Sequence, residues 1–577
     1  MSKDENFKNK EKQATDDRER LANSSRDNDE ENINQNVAEK MIDEEFKNKE
    51  LPEDDKSDTD TFEEGNKLEK LDEKNNDING SSVRIFQSLD LKPKHLGLTR
   101  TLLLAMFAAL IGTGAQFGYA LGVMNAPSEL IKIYINEIYI KRYNSTISPY
   151  HQDILYSTAI SVVALGGMFG GLSAISLSNR FGRKTSLLLN NFPVIIGSIL
   201  MVLSKNIASF EVFIVGRILI GFSAGFGATV GPIYVNEIAP LRVRGSLGAC
   251  FQLFIAFAVL LAQILGLDII LGRQHLWNYL FAIPIIFSVL QCTLLIFTHE
   301  TPTILLQKKR RRAATRALKW FRREKSDDDI QEEIHAMEAD VRNVQTNATK
   351  VSIRDLWSKP LLRKCILILT MTHIAQHFTG SCVIFFFGDI ILTRANLKME
   401  YASYAMLSNG IAYLAAAISL IFIVDKIGRR SLLLYGLIGT AATSCVIGVT
   451  IFKSRNIPLY HMIFLEIFAM MAHVSFSAMG PNAIPWLLST DMFLQSERAY
   501  ASVIAIVVNW LSMFFVLMTF VPLFHAVGAS LFLVYGIMSC GFWLVAFIFV
   551  PETRRKTPER VQVLVAKGTV YKAKYQK

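Results

Sequence analysis

Between residues 373 and 387 an apolar run carries His373, Gln376, His377, Thr379, Ser381 and Cys382 around Gly380. Two imidazoles, an amide and a thiol within a stretch long enough to cross a bilayer must face protein or water, because hydrocarbon offers them no partner. The run is therefore expected to line a water-accessible cavity, with Gly380 weakening the helix at its middle. His373 and His377 stand four apart on one helical face, as a metal pair would. No carboxylate or third ligand accompanies them, so no metal is expected. All six cysteines lie in or at the edges of apolar spans, without ligand spacing in a loop, and read as neither a zinc site nor a disulfide framework. No nucleotide-binding loop or catalytic triad occurs. The chain is not expected to be an enzyme or to hold a cofactor.

Charged residues form a second set, and they recur. Asn179, Arg180, Phe181, Gly182, Arg183 is echoed 246 residues later by Asp425, Lys426, Ile427, Gly428, Arg429. Glu237 and Arg244, seven apart, return as Asp491 and Arg498, and Glu300, Thr301 returns as Glu552, Thr553. A glycine lets helix ends approach closely, and the acids and arginines fall near one mouth of a bundle. They are read as ties between two bundles that hold an inner gate shut, against the plainer reading of loop charges that only set topology. Arg217, the only deep cation, joins this gating set.

The elements that position these residues follow from composition. Of 577 residues 51% are hydrophobic, too many for an ordinary soluble chain. Twelve apolar spans of about twenty residues begin near 101, 154, 186, 211, 247, 278, 363, 403, 431, 461, 501 and 528, each able to cross a hydrocarbon core of about 30 Å. An all-α membrane protein follows, with twelve transmembrane helices in two pseudo-symmetric six-helix bundles, 98–298 and 361–550. A cytoplasmic helical linker, 299–360, joins them, and a cytoplasmic C-terminal tail covers 551–577. Such duplication is the mark of transporter bundles rocking about a shared site near the midplane.

Basic loops (Arg180 to Lys184, Arg242 and Arg244, Lys308 to Arg312, Lys426 to Arg430, Arg554 to Lys556) fall on the side of both termini, which is read as cytoplasmic. The opposite loops are mostly short, and the first carries Asn144, Ser145, Thr146, a glycosylation sequon. Sequons at Asn23, Asn79 and Asn347 fall on the cytoplasmic side. Residues 1–97 read as a disordered cytoplasmic tail: up to residue 95 there are 17 Lys and Arg against 27 Asp and Glu, with few aromatics. The whole chain has 61 basic and 51 acidic residues, so the body is strongly basic. Without a clustered stripe or motif this points to cytoplasmic loops, and nucleic acid is not an expected partner.

These features closely resemble the sugar porter family of the major facilitator superfamily, and within it the facilitative glucose transporters. The resemblance rests on Gln116 to Tyr119 with Gly122 and Asn125 to Pro127, Arg180 to Arg183, Gly216 and Arg217, and Glu237 through Gly245. It continues through Gln252, Gln263, Gly428 to Arg430, Gly480, Pro481, Ile484 to Trp486, Asn509, Trp510 and Pro551 to Thr553, covering about 98 to 560. It implies the major facilitator fold and a sugar site in which Gln252, Gln376, Trp486 and Asn509 match family positions. Amides both donate and accept, as sugar hydroxyls require, and Trp486 offers a stacking face near the inner gate. The chain departs from the glucose-binding pattern at His377, Cys382 and Tyr413, and at Ala478 and Met513, which predicts fewer partners for glucose hydroxyls. Where proton-driven relatives place an Asp beside the arginine of span four, this chain has Ala120 beside Arg217, which implies uniport. The expected function is facilitative transport of a hexose such as glucose, or a related small polyol, by a monomer-sufficient carrier at the plasma membrane. The alternatives are a non-transporting nutrient sensor or scaffold, and a carrier of a non-hexose solute.

Overall fold

A computed structural model describes residues 98–240, 243–323, 326–346, 353–456, 460–554 and 556–566. The expected disordered tail and the sequons at Asn23, Asn79 and Asn347 lie outside the described residues. Among those described there is no strand, and twelve helical segments are long and apolar enough to span a membrane. Helices are the economical answer here, since each backbone group pairs within its own segment.

The first half begins at Thr99, whose hydroxyl caps the opening helix by accepting from the Leu102 amide at 3.1 Å. Its first span is two helices, α1 (Arg100–Ile111) and α2 (Gly114–Gly122). A further helix, α3 (Ser128–Tyr143), then occupies the first connection on the face opposite the termini, where only a sequon-bearing loop was foreseen. It is held there because Ile131, Tyr134, Ile135 and Ile138 bury one stripe of it.

Four spans follow: α4 (Pro149–Phe181), α5 (Arg183–Leu189) with α6 (Asn191–Ile207), α7 (Phe210–Ile238) and α8 (Arg244–Leu265). A 3₁₀ turn, Trp277–Ala282, runs into α9 (Ile283–Ile296) to complete the sixth. Helices α4 and α7 touch backbone to backbone. A Cβ on Gly170 would lie 1.9 Å from the Phe222 carbonyl oxygen, and one on Gly225 1.9 Å from that of Gly167. This is the close approach that small residues four apart permit in membranes.

Four short helices join the halves: α10 (Pro302–Gln307), α11 (Arg311–Phe321), α12 (Asp327–Thr346) and α13 (Ile353–Ser358). In α11 the residues Ala314, Ala317, Leu318 and Phe321 form a buried stripe, part of it against Ile330 and Ile334 of α12. The hydroxyls of Thr99 and Thr101 donate to the carbonyls of Phe321 and Trp320, both at 2.7 Å, seating this layer on the start of α1.

The second half opens with one span in two pieces, α14 (Pro360–Phe378) and α15 (Ser381–Arg394), broken at Gly380 with φ +84°. Then come α16 (Met399–Ile427), α17 (Arg429–Asn456), and a span divided into α18 (Tyr460–Met479) and α19 (Ile484–Asp491). The half ends with α20 (Gln495–Val527) and α21 (Ser530–Phe549), and a short helix, α22 (Pro558–Ala566), follows it. The halves meet where α4 packs on α20 and α8 on α16.

Candidate functional site

The duplicated charges form two matching assemblies. Gly182 and Gly428 have φ +104° and +102°, a conformation suited to glycine. The turn they make exposes the first amides of α5 and α17. The Glu300 carboxylate accepts from the Arg183 amide at 2.9 Å, and Glu552 accepts from the Arg429 amide at 2.9 Å. A carboxylate at a helix N-terminus satisfies orphan donors and opposes the helix dipole. The arginine side chains then reach the acids of the next motif, Arg183 to Glu237 at 2.9 Å and Arg429 to Asp491 at 3.5 Å. Thr301 donates to Glu237, and Thr553 to Asp491.

This corrects the expectation of inter-bundle ties, because Arg183–Glu237 and Arg429–Asp491 each lie inside one half. Seven residues of sequence separation do not pair Glu237 with Arg244 or Asp491 with Arg498. Each acid lies at the end of a span, and its nearest arginine starts the neighbouring span of the same half. The Arg498 guanidinium donates to the Phe493 carbonyl at 3.3 Å and is held below its usual range by burial, opposed by Asp491. Arg244 is exposed, and the Asp425 side chain lies outside the described ones. Arg217 is not at a bundle junction either. It is fully buried inside the first half, donating to the carbonyls of Ala159 (3.2 Å) and Ala120 (3.5 Å).

The polar groups of the broken span gather near the break. Gln376, one turn before Gly380, accepts from Asn509 Nδ2 of α20 at 2.7 Å, and the same amide lies 3.3 Å from His373 Nδ1. Trp486, at the start of α19, meets the His373 ring edge-on at 4.9 Å between centroids. Four side chains from three spans thus share one place. Gln252 of α8 donates to the Tyr413 hydroxyl of α16, a polar contact that joins the halves. Phe385 of α15 backs Tyr413 at 4.8 Å. His377 is buried with Nε2 unpartnered, and the Cys382 thiol lies 3.9 Å from the His377 carbonyl across the break. Asn144 ends α3 in the left-handed conformation (φ 54°) and is exposed.

Among the described residues no group of three or more His, Cys, Asp or Glu could hold a metal ion. His373, weighed in the sequence as a possible metal ligand, instead packs between Trp486 and Asn509. Inside the spans, three buried ionisable residues escaped the sequence reading: Asp389 on α15, and Glu466 and His473 on α18. Their signal was a charge or imidazole inside a membrane-length apolar run, the same signal that drew attention to His377.

Comparison with known proteins places these features in context. The model of the family described as "Sugar (and other) transporter" matches residues 104–565. The facilitated glucose transporter member 1 of Gallus gallus is 32% identical over 471 residues, covering 82% of this chain and 94% of that protein. Member 5 of Equus caballus is 33% identical over 461 residues, covering 80% and 91%. Among solved structures, the major facilitator superfamily proton:xylose symporter XylE bound to 6-bromo-6-deoxy-D-glucose superposes with a TM-score of 0.67. It is 22% identical and covers 80% of this chain and 99% of that one. A partially occluded inward-open form of the E. coli xylose transporter gives the same TM-score.

Proposed function

The chain belongs to the sugar (and other) transporter family, and from that premise we propose that it carries a hexose such as glucose, or a related small polyol, down its gradient by alternating access. The observation that carries the reading is the cluster of Gln376, Asn509, His373 and Trp486 at the break between α14 and α15. Two amides and an imidazole bonded to one another can exchange those bonds for the hydroxyls of a neutral sugar, while the indole takes its apolar face. Gln252 and Tyr413, bridging the halves, complete the wall, with His377 and Cys382 at the break. When the halves rock apart at the site, this bridge must yield. The charge assemblies at Gly182 and Gly428 stiffen the terminal end of each half so that it moves as a body. That end faces the cytoplasm, the opposite face with Asn144 lies outside the cell, and the membrane is the plasma membrane.

Uniport is favoured because the carbonyl of Ala120 receives Arg217. An alanine cannot toggle an ion pair with it.

The test is exchange of labelled glucose, galactose, fructose and inositol in proteoliposomes. At least one should show counterflow, at a rate not raised by an inward proton gradient at fixed membrane potential. Folded protein that binds a solute but exchanges none would give the site to a sensor, and a rate rising with the proton gradient would remove the uniport.

A further inference from the structure

On the face opposite the termini the two halves are joined by a carboxylic acid. Asp389 of α15 is fully buried, five residues before the end of its span. Its Oδ2 accepts from the Ser128 hydroxyl at the start of α3, and its backbone amide donates to Asn125 Oδ1 at 3.2 Å. Both partners belong to the first half. Helix α15 is bent just before the acid, where Phe387 leaves helical geometry (φ −129°, ψ 17°), and this bend presents Asp389 to α3.

The carboxyl has a single donor on one oxygen, while Oδ1 has none. The nearest cation, Lys132, is shared with other carboxylates, though its charge also reaches Asp389. Lys132 on α3 pairs with Asp153 of α4 at 3.0 Å and Glu129 at 3.3 Å. Burial pulls its ammonium down, but Glu129, Asp153 and, least, Asp389 prevail and hold it above its usual range. Arg394, on the acid's own helix, lies over the Phe524 ring of α20. Of the other titratable groups on nearby elements, Tyr156 of α4 donates to the Met124 carbonyl, Glu466 of α18 is itself buried, and Tyr413 of α16 and His473 of α18 are buried on helices packed against α15. His525 of α20 binds Asp153 at 2.9 Å. An anion at Asp389 would therefore be fully desolvated with Oδ1 unmet and only a shared lysine to offset its charge, which is disfavoured, whereas the neutral acid is tolerated.

We propose that Asp389 is a proton-binding site that latches the outer face: the protonated acid closes the halves through Ser128 and Asn125, and loss of the proton opens them. This rests on the alternating-access reading above. The sign follows from linkage. The closed state binds one more proton than the open state, in which the acid meets water, so acidifying the outside favours closure by up to about tenfold per pH unit, the ceiling for one linked proton. Because the proton enters and leaves from the same face, the latch regulates opening without driving solute uphill.

The experiment measures the distance between spin labels at Tyr143→Cys and Val527→Cys, at the ends of α3 and α20, with the exposed Cys445 and Cys540 changed to Ser. Between pH 8 and pH 5.5 the long-distance population should shrink severalfold in the otherwise unaltered protein. Asp389→Asn should remain closed throughout, and His525→Gln should keep the response. Should Asp389→Asn not fold, Ser128→Ala substitutes for it, with an open population at pH 8 at least threefold larger. A pH-independent distance in the parent, a response kept by Asp389→Asn, a response lost in His525→Gln, or an unchanged Ser128→Ala overturns the latch. No solute is present in this measurement, so it can succeed while uptake fails, which would overturn only the transport reading.

Discussion

Inside the first half the buried polar side chains of α2, α6, α7 and α9 answer one another. Gln116 donates to Ser288 at 2.9 Å and accepts from Ser223 at 3.3 Å; Asn191 donates to Gln291 at 2.9 Å, and Gln291 donates to the Ala109 carbonyl at 3.0 Å. The second half buries His373, His377, Asp389, Glu466 and His473, and every one of them keeps at least one polar atom without a partner. A closed network of amides fixes helix positions. Unspent hydrogen-bonding capacity marks places that a ligand or a second conformation completes. The first half has unpartnered buried atoms as well, on Arg217, Asn190 and Asn278 among others, and Gln263 of α8 is instructive, because both its side-chain polar atoms are unpartnered and it faces Gly410 across the junction. The contrast is thus between the amide network of α2, α6, α7 and α9, which acts as a frame, and the buried imidazoles and acids of the second half, which form a wall that changes partners.

The largest effect expected from this comparison is in the frame. Gly170→Val forces a Cβ onto the Phe222 carbonyl and should cost about 3 kcal/mol, seen as loss of monodisperse protein in detergent chromatography. Gly541→Val in α21, where nothing lies within 4 Å of an added Cβ, should stay within about 0.5 kcal/mol. Equal losses would show that α4 and α7 have room to part.

An intermediate pair of substitutions separates stability from affinity. Gln291→Leu leaves Asn191 and two carbonyls short of a partner, which should lower unfolding stability by about 1 to 3 kcal/mol with the solute Kd unchanged. Gln376→Ala should do the reverse, weakening solute binding by roughly fivefold, the equivalent of one net hydrogen bond of about 1 kcal/mol, with little loss of melting temperature. If Gln376→Ala acts only on stability, the amide cluster is packing and not a site.

The smallest effect tests the wall's chemistry. His377→Gln with Cys382→Asn should raise glucose affinity a few-fold, measured by equilibrium binding or counterflow, since both changes restore amide partners. No gain would mean that these positions do not face the solute.

Much of this was legible in the chain. Twelve spans follow from apolar run length alone, because a bilayer admits little but helices. The break at Gly380 was marked by a glycine among polar groups, and the doubled motifs marked the doubled fold. The partners within those motifs were not legible. Glu237 meets Arg183, 54 residues earlier in sequence, whereas its sequence spacing pointed to Arg244. Asp389 was not singled out, although it ties the two halves together.

The reason is physical. Crossing a membrane is a property of a segment, set by its own hydrophobicity, and repetition is a property of the string. Which side of a helix is dry, which carbonyl Arg217 reaches, and whether a carboxylate finds a donor depend on how helices rotate and where they bend. The bend at Phe387 aims Asp389 at Ser128, and the close contact of α4 with α7 carries Ala159 to Arg217. Those placements arise from glycine-sized gaps and ring-against-ring packing between segments far apart in sequence, and only the tertiary structure decides them.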